Sequence, residues 1–154
     1  MIVSNSMIPE PVIIDEKAGL WDLINQLLAS GQDTAPVVNR NNKLVGVVGI
    51  HDVFSKIVPE YIRLDEKLMS MVHEGYFEEK FRKFEGVQAG DLMKTEIDWV
   101  EPTDAVFKAV ALFVKHRRRA LPVREKDGTF VGLITRKSIL RRLHYKLNKV
   151  EEGS

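Results

Sequence analysis

The pattern of apolar and polar positions occurs twice along this chain. Residues 7–54 align with residues 93–140 at a constant offset of 86 positions and without a gap. Only six aligned pairs are identical, yet apolar positions match apolar positions almost throughout. Because each repeat has only about 50 residues, neither buries enough surface to be stable alone. We therefore expect the repeats to share one core in a pseudo-two-fold arrangement, with a cleft where they meet.

The first repeat opens with a β-branched run at residues 12–14, which predicts a short strand. This strand ends at Asp15, a residue type that often caps the following helix. Apolar residues at helical spacing over 20–28 then predict a helix that Ser30-Gly31 closes.

Two further apolar runs, 35–38 and 44–50, flank a polar turn in the first repeat. This arrangement predicts a β-hairpin. A helix from Asp52 should follow the hairpin and end before Pro59. The repeat is therefore predicted to fold in the order strand–helix–strand–strand–helix.

The second repeat predicts the same order of elements. They are a strand at Ile97–Val100, a helix over 105–114 capped by Thr103, a hairpin of 121–124 and 130–135, and a basic helix from Lys137 onward. The helix over 105–114 carries one charge in ten residues, so it should be covered on more than one face. The other repeat or a dimer partner could provide that cover.

The segment that joins the repeats is long and charged, but Phe77, Phe81 and Phe84 have helical spacing. We expect an amphipathic helix there, packed on the outside. The predicted organisation is a first unit at 3–58, a helical linker at 59–86, a second unit at 87–146 and a tail at 147–154.

Composition narrows the class of protein. A chain of 154 residues with 44% apolar residues is globular, and the absence of cysteine excludes disulfides, thiolate metal sites and a cysteine nucleophile. The N-terminus has no basic segment and no apolar run is long enough to span a membrane. We expect a soluble cytoplasmic protein with no membrane partner.

The net charge of +1 conceals an uneven distribution. Residues 1–86 hold 9 Lys/Arg against 13 Asp/Glu, whereas residues 87–154 hold 14 against 9. The positive second half, which includes the basic run 115–119, suggests an anionic partner. The alternative is a solvated basic surface.

Catalytic and metal-binding motifs are not found. The four histidines lack the spacing of metal ligands, and neither the Gly-x-Gly-x-x-Gly loop nor the Gly-x-x-x-x-Gly-Lys-Ser/Thr loop occurs. We expect no enzyme, no metal and no required cofactor.

Three short motifs carry a family resemblance: Met93-Lys94-Thr95, Leu121-Pro122-Val123 and Val131-Gly132-Leu133-Ile134-Thr135, each echoed in the first repeat. In their order and spacing they resemble a tandem pair of cystathionine-β-synthase (CBS) domains, a Bateman module of the stand-alone bacterial or archaeal type. The resemblance covers about 3–58 and 87–146. It implies an α/β (α+β) fold and clefts that bind adenine nucleotides (AMP, ADP or ATP) or other adenosyl ligands. It also implies a homodimer that regulates a partner protein, here unidentified.

The ligand signature of this family reads Gly-apolar-apolar-Thr/Ser-x-x-Asp, and this chain divides it between the repeats. The first repeat keeps Asp52 but has Gly49 at the hydroxyl position, whereas the second keeps Thr135 but has Ser138 at the acid position. A hydroxyl can bind ribose or phosphate, and a carboxylate can accept hydrogen bonds from both ribose hydroxyls. Neither copy of the signature is complete.

The resemblance implies a set of ligand-binding residues. They are Asp52, His51, Pro36, Thr135, Arg136, Arg119, Arg118, Lys94, Thr95 and Pro122. Asp52 would contact ribose and the three arginines would bind phosphate. Helix capping is the alternative role of Asp52 and Thr135, and shaping of an edge strand is the alternative role of the two prolines.

We therefore predict a regulatory sensor of adenine nucleotides that signals by conformational change. One alternative is nucleic-acid binding through the basic second half, which the near-neutral total charge and the lack of interleaved aromatic residues disfavour. Another is a structural dimerisation module that binds no ligand.

Overall fold

The structure, a computed structural model, describes residues 1–152, with side chains described through Lys149. The strands are β1 (Ile14–Asp15), β2 (Thr34–Val38), β3 (Leu44–Gly49), β4 (Ala120–Arg124) and β5 (Phe130–Thr135). The α-helices are α1 (Leu20–Ser30), α2 (Ile50–Ile57), α3 (Glu60–Arg63), α4 (Glu66–Ser70), α5 (Tyr76–Lys83), α6 (Ala89–Leu92), α7 (Val106–His116) and α8 (Arg136–Glu152), and a 3-10 turn covers Val3–Asn5. This mixed α/β architecture confirms the predicted fold class.

The sequence repeat is reproduced residue by residue in the secondary structure. Helices α1 and α7, strands β2 and β4, and strands β3 and β5 begin and end 86 positions apart. Helix α1 ends at Gly31 with φ of 72°, as predicted, and α7 ends at Arg117 with φ of 53°. The same left-handed turn therefore closes both helices, once on glycine and once on arginine.

Each repeat also forms its own small sheet. Strands β1, β2 and β3 lie side by side in that order, with β1 parallel to β2 through the pair Ile14 and Val37. Strand β4 is antiparallel to β5, and Val100 makes one parallel bridge to Val123. The partners in these two parallel pairings differ by 86 positions, so the pairing register is repeated as well.

The chain divides into two compact units. The Asp52 unit contains residues 12–39 and 45–95, and the Thr135 unit contains residues 1–11, 40–44 and 96 onward. Each has its own apolar core, and all nine buried residues of the Thr135 core lie 86 positions from a buried residue of the Asp52 core. They are Val3, Val100, Val106, Ala109, Phe113, Leu121, Val123, Ile134 and Ile139.

The predicted strand at Ile97–Val100 is wrong, because within it only Val100 pairs with a neighbouring strand. The Val100 N–H donates to the Pro122 carbonyl at 3.1 Å, and the Arg124 N–H donates to the Val100 carbonyl at 2.9 Å. The two residues before Val100 are held through their side chains instead. Asp98 accepts a hydrogen bond from Arg118, and the Arg124 guanidinium stacks 3.6 Å from the Trp99 ring centroid.

The two predicted helix caps are also wrong, because α1 begins after Gly19 and α7 begins after Ala105. The Asp15 carboxylate accepts from the Lys17 N–H at 2.8 Å and so stabilises the turn before α1. Thr103 lies two residues ahead of Ala105. Short polar side chains compete for local backbone groups in turns as readily as at helix ends.

The segment that joins the repeats contains the predicted aromatic helix, α5. Phe81 and Phe84 pack against the core of the Asp52 unit, and Phe81 lies 5.1 Å from Trp21 between ring centroids. Helix α8 extends through residue 152 of the predicted tail, and Gly153 and Ser154 lie outside the described residues. Within the described chain, Phe107 and Val114 of α7 are 78% and 76% exposed. The expected cover of this apolar helix is therefore not complete.

Candidate functional site

Asp52 lies where strand β3 passes into helix α2. Its Oδ2 accepts a hydrogen bond from the Gly49 N–H at 2.8 Å, which caps the helix. Its Oδ1 lies 3.9 Å from Lys94 Nζ, and the Asp52 side chain is 12% exposed while that of Lys94 is 58% exposed. The carboxylate therefore caps a helix and neighbours a cation, so both roles considered for it are compatible.

Lys94 is brought to this point by a backbone bridge to β3. The Val47 N–H donates to the Lys94 carbonyl at 3.0 Å, and the Lys94 N–H donates to the Val47 carbonyl at 2.8 Å. Gly46 permits this approach, because a Cβ at position 46 would lie 2.6 Å from the Lys94 carbonyl oxygen. Thr95 follows as an exposed residue. The role of Gly46 could not be identified from the sequence, because it depends on the close approach of the Lys94 backbone.

Gly49 occupies the hydroxyl position of the family signature, and its surroundings leave no room for a side chain. A Cβ there would lie 2.7 Å from Thr34 Cγ2 and 2.8 Å from the Asp33 carbonyl oxygen. The Gly49 φ of −147° is extended backbone that any residue can adopt. The missing hydroxyl therefore reflects lack of space rather than backbone conformation.

The equivalent junction in the Thr135 unit has no charge pair. The Ser138 N–H donates to Thr135 Oγ1 at 3.0 Å, and the Thr135 N–H donates to Ser138 Oγ at 2.9 Å. Ser138 is 7% exposed. The position equivalent to Lys94 is Ile8, whose N–H donates to the Leu133 carbonyl at 2.9 Å. The two junctions thus share backbone geometry but differ in their electrostatics.

Arg118 is engaged by an acidic residue that the sequence analysis did not identify. Arg118 Nε donates to Asp98 Oδ2 at 3.0 Å, and His116 Nδ1 lies 2.6 Å from the same oxygen. Desolvation raises the pKa of Asp98, but hydrogen bonds and charge interactions with His116 and Arg118 outweigh it and leave that pKa below its usual range. Asp98 therefore remains ionised and orients one of the proposed phosphate ligands.

The remaining candidate residues differ in exposure. Arg119 and Arg136 are exposed in the Thr135 unit. His51 is exposed on α2 and its Nε2 lies 3.2 Å from Ser55 Oγ. Pro36 and Pro122 are buried within β2 and β4, and because β2 is the middle strand of its sheet, the alternative role of Pro36 in shaping an edge strand is wrong.

The candidate residues are divided evenly between the two units. Asp52, His51, Pro36, Lys94 and Thr95 belong to the Asp52 unit, and Thr135, Arg136, Arg119, Arg118 and Pro122 belong to the Thr135 unit. Among residues 1–149, whose side chains the structure describes, no three His, Asp or Glu side chains converge as a metal site would require. No helix in the same part of the chain is long and apolar enough to cross a membrane.

Two repeats that share the order helix, strand, strand, helix, each with a short polar motif where its last strand meets its last helix, define a class of small tandem α/β modules. The family model of the CBS domain matches residues 3–59 and 89–145. The chain belongs to the CBS-domain family, which confirms the resemblance seen in its sequence.

Individual relatives agree with this assignment. The chain is 25% identical to an uncharacterized protein of Methanocaldococcus jannaschii, over 93% of this chain and 91% of that protein. It is similar to the CBS-pair protein CBSX2 from Arabidopsis thaliana, with 25% identity, a TM-score of 0.72 and 96% of each chain covered. It is also similar to CBSX2 in complex with AMP, with 26% identity, a TM-score of 0.71, and 94% of this chain and 98% of that chain covered.

Proposed function

We propose that this chain is a regulatory module that binds an adenine nucleotide (AMP, ADP or ATP) and signals binding to a partner protein by a change in conformation. The pairing of Asp52 with Lys94 at the end of β3 carries this proposal. A relative of 26% identity is known in complex with AMP, which supports the ligand class. Stand-alone CBS pairs generally regulate other proteins rather than catalyse reactions.

The chemistry of the Asp52–Lys94 pair suits a nucleotide. The carboxylate can accept hydrogen bonds from ribose hydroxyls, and an exposed ammonium can turn toward a phosphate. Because Lys94 is more than half exposed and 3.9 Å from the carboxylate, it can move to a ligand at little cost. Arg119 and Arg136 are proposed as further phosphate contacts, in the Thr135 unit.

A thermal-shift titration of the full chain tests this proposal. AMP, ADP, ATP, S-adenosylmethionine and single-stranded DNA would be compared at the same ionic strength. A ligand that binds only the folded protein raises stability by about 2.7 kcal/mol at a hundredfold excess over Kd. We expect stabilisation by at least one adenine nucleotide. Stabilisation by none of them would refute the proposal and favour a module without a ligand, whereas stabilisation by DNA alone would favour nucleic-acid binding.

Asp52→Asn with Asp91→Asn as its matched control separates ligand binding from helix capping. Asp91 Oδ2 accepts from the Gln88 N–H at 2.9 Å, as Asp52 Oδ2 accepts from the Gly49 N–H at 2.8 Å. Each variant keeps a side-chain oxygen that can accept from the backbone N–H, so both should lose the same small amount of stability, less than the roughly 1 kcal/mol that removal of a cap costs. Only Asp52→Asn should also lose the stabilisation by nucleotide. Equal nucleotide responses in both variants would contradict a ligand role for Asp52.

We further propose that the chain forms a homodimer through an α7/α8 face, which we define as Phe107, Val114 and Leu140. These residues are 63–78% exposed. They lie 86 positions after Trp21, Leu28 and Phe54, which line a single apolar pocket together with Phe81 of α5. Phe81 of α5 covers part of that equivalent face, where Trp21, Leu28 and Phe54 remain 51–70% exposed, whereas the still more exposed α7/α8 face offers its apolar surface to a second copy of the chain.

Sedimentation velocity tests the dimer. Phe107→Glu should shift the chain to monomer, and Phe77→Glu, an equally radical change on an exposed residue of α5, should not. Because the basic residues Lys115, Lys137 and Arg141 neighbour these positions along α7 and α8, added salt should screen their repulsion and strengthen the dimer. A wild-type chain that stays monomeric at every salt concentration would exclude this interface.

A further inference from the structure

Helix α8 continues well beyond the point where its counterpart in the first repeat ends. Helices α2 (Ile50–Ile57) and α8 (Arg136–Glu152) begin at equivalent positions, but they have 8 and 17 residues. From Arg136 through Lys149 the chain has six Lys or Arg residues and no Asp or Glu. The internal repeat therefore accounts neither for the extension of α8 nor for its charge.

The side of α8 that faces the core becomes cationic along this extension. Ser138 and Ile139, in the first turn, are each 7% exposed, and Ile139 belongs to the core of the Thr135 unit. Arg142, Tyr145 and Lys149 follow Ser138 at intervals of four, seven and eleven positions. Residues at these intervals lie on one side of a helix. The inward side of α8 therefore carries cations where apolar residues would extend the core, which is not the arrangement of a solvated outer face.

These residues line a cavity of about 410 Å³ in the Thr135 unit. Its lining consists of Met1, Asn5, Arg142, Tyr145, Lys146 and Lys149. The Tyr145 ring gathers two of the cations, because the Arg142 guanidinium lies 5.5 Å and Lys149 Nζ lies 5.4 Å from its centroid. A cavity of this volume is large enough for a small-molecule ligand.

The positive charge at this cavity is not balanced by the side chains that the structure describes. Among residues 1–149, the ion pairs with acidic side chains do not include Arg142, Lys146 or Lys149. The half-buried Arg142 has a buried Nε that donates to no acceptor, whereas buried polar atoms normally have a hydrogen-bond partner. Arg142 and Lys146 are also four positions apart, a spacing at which like charges destabilise a helix. An anion in the cavity would reduce this repulsion.

We infer that this cavity, here called the α8 cavity, binds a small phosphate anion with several negative charges, of which inorganic triphosphate is the simplest probe. The Arg142 guanidinium can bind two phosphate oxygens at once, and Lys146 and Lys149 add compact positive charges. The Asn5 side-chain amide, also at the cavity, can donate a further hydrogen bond.

The α8 cavity goes beyond the proposed function. It includes neither Asp52 and Lys94 nor the phosphate contacts proposed at Arg119 and Arg136. Its enclosure by six residues suits a compact anion, whereas a single-stranded nucleic acid requires a long basic groove.

Isothermal titration of inorganic triphosphate into the full chain, at constant ionic strength and without divalent cations, tests the α8 cavity. Lys146→Gln/Lys149→Gln removes two charges from its lining. Lys137→Gln/Arg141→Gln is the matched control, since it removes two charges from exposed positions of the same helix that do not line the cavity. We expect the first variant to bind at least about tenfold more weakly than wild type, and the control to bind within about threefold of it. An equal loss in both would show that the overall charge of α8 attracts the anion, and the assigned cavity would be wrong.

Substitution of Arg142 tests the contact made by its guanidinium. Arg142→Lys keeps the charge but removes the planar fork, and Arg142→Gln removes both. We expect the affinity for triphosphate to fall by about threefold in the first and about tenfold in the second. Unchanged affinity in Arg142→Gln would contradict the inference. The melting temperature without ligand verifies folding, and the exposed Lys146 and Lys149 keep the test conclusive if the half-buried Arg142 does not tolerate glutamine.

A single-stranded RNA of mixed sequence, titrated under the same conditions, distinguishes a small anion from a nucleic acid. We expect wild type to bind triphosphate more tightly than the RNA. Tighter binding of the RNA would assign the basic side of α8 to nucleic acid and overturn the inference. A wild-type chain that binds no triphosphate would also overturn it, without affecting the nucleotide response proposed at Asp52.

Discussion

Lys43 and Thr129 are 86 positions apart in the sequence and pair with each other as an antiparallel β-bridge. The Leu44 N–H donates to the Gly128 carbonyl on one side of this bridge, and the Phe130 N–H donates to the Asn42 carbonyl on the other, each at 2.9 Å. Lys43 Nζ also donates to Thr129 Oγ1 at 3.1 Å. Equivalent residues of the two hairpin turns thus bind each other within the Thr135 unit.

This bridge predicts how Asp127 responds to acid. Hydrogen bonds from the backbone and side chain of Thr129, followed by Lys43, lower the pKa of Asp127 from 3.8 to about 2. A lowered pKa means that the carboxylate stabilises the fold above pH 4 and loses this effect as the pH falls toward 2. Asp127→Asn should therefore have a lower melting temperature than wild type at neutral pH, and the gap should close on acidification between pH 4 and pH 2.

NMR titration of the Asp127 carboxyl group tests this prediction directly. Lys43→Met removes only the smaller contribution, so the pKa of Asp127 should rise in this variant but stay below its ordinary value. Titration of Asp127 near pH 4 in the wild-type chain would contradict the assigned hydrogen bonds.

The equivalent glycines Gly46 and Gly132 should tolerate alanine very differently. A Cβ at position 46 would lie 2.6 Å from the Lys94 carbonyl oxygen, a backbone atom, and also close to Met93. The three heavy atoms nearest to a Cβ at position 132 would all belong to the flexible Met7 side chain, with its sulfur at 2.7 Å. We expect Gly46→Ala to lower the free energy of unfolding by about 2 kcal/mol and Gly132→Ala by less than about 1 kcal/mol, measured by urea denaturation. Equal costs would show that the Lys94 bridge is not rigid.

The helix and the two strands that follow it in each repeat were predictable, because apolar spacing alone indicates their order and their repetition. The register of Ile14 with Val37, and of Val100 with Val123, follows from the same offset as the sequence alignment. The predicted strand at Ile97–Val100 was wrong because Asp98 and Trp99 interact through their side chains with residues distant in sequence. Asp98 accepts a hydrogen bond from Arg118, and the Trp99 ring stacks on the Arg124 guanidinium. Apolar periodicity does not reveal whether a residue pairs through its backbone or through its side chain.

The candidate site was predictable only in part. Asp52 and Lys94 could be proposed from family motifs, but that they lie 3.9 Å apart depends on the backbone bridge from Lys94 to Val47. The lack of space for a side chain at Gly49 was not predictable, because it depends on the approach of Thr34 and Asp33 from a separate segment. Contacts that join separate segments need a fold before they can be assigned.

Equivalent core positions should contribute equally to stability. Val37 and Val123 are both completely buried, and each pairs in parallel with an apolar residue, Ile14 or Val100. Val37→Ala and Val123→Ala should each lower the free energy of unfolding by about 2 kcal/mol, because each removes two buried methyl groups and leaves a cavity. Chemical denaturation followed by circular dichroism would measure both. A cost several times larger in one variant would indicate that the two cores are packed unequally.

Helix α5 should stabilise the Asp52 unit through its inner aromatic face. Phe81 packs against the core and against Trp21, whereas Phe77 is 52% exposed and its ring lies 6.5 Å from that of Phe54. We expect Phe81→Ala to cost about 2 kcal/mol and Phe77→Ala about half of that, since less of the Phe77 ring is removed from water. Tryptophan fluorescence reports the first change, because removal of Phe81 admits water to Trp21 and should shift its emission to longer wavelength, whereas the emission of the second tryptophan, Trp99, should not change. An unchanged emission maximum in Phe81→Ala, together with unchanged stability, would mean that α5 does not cover Trp21 in solution.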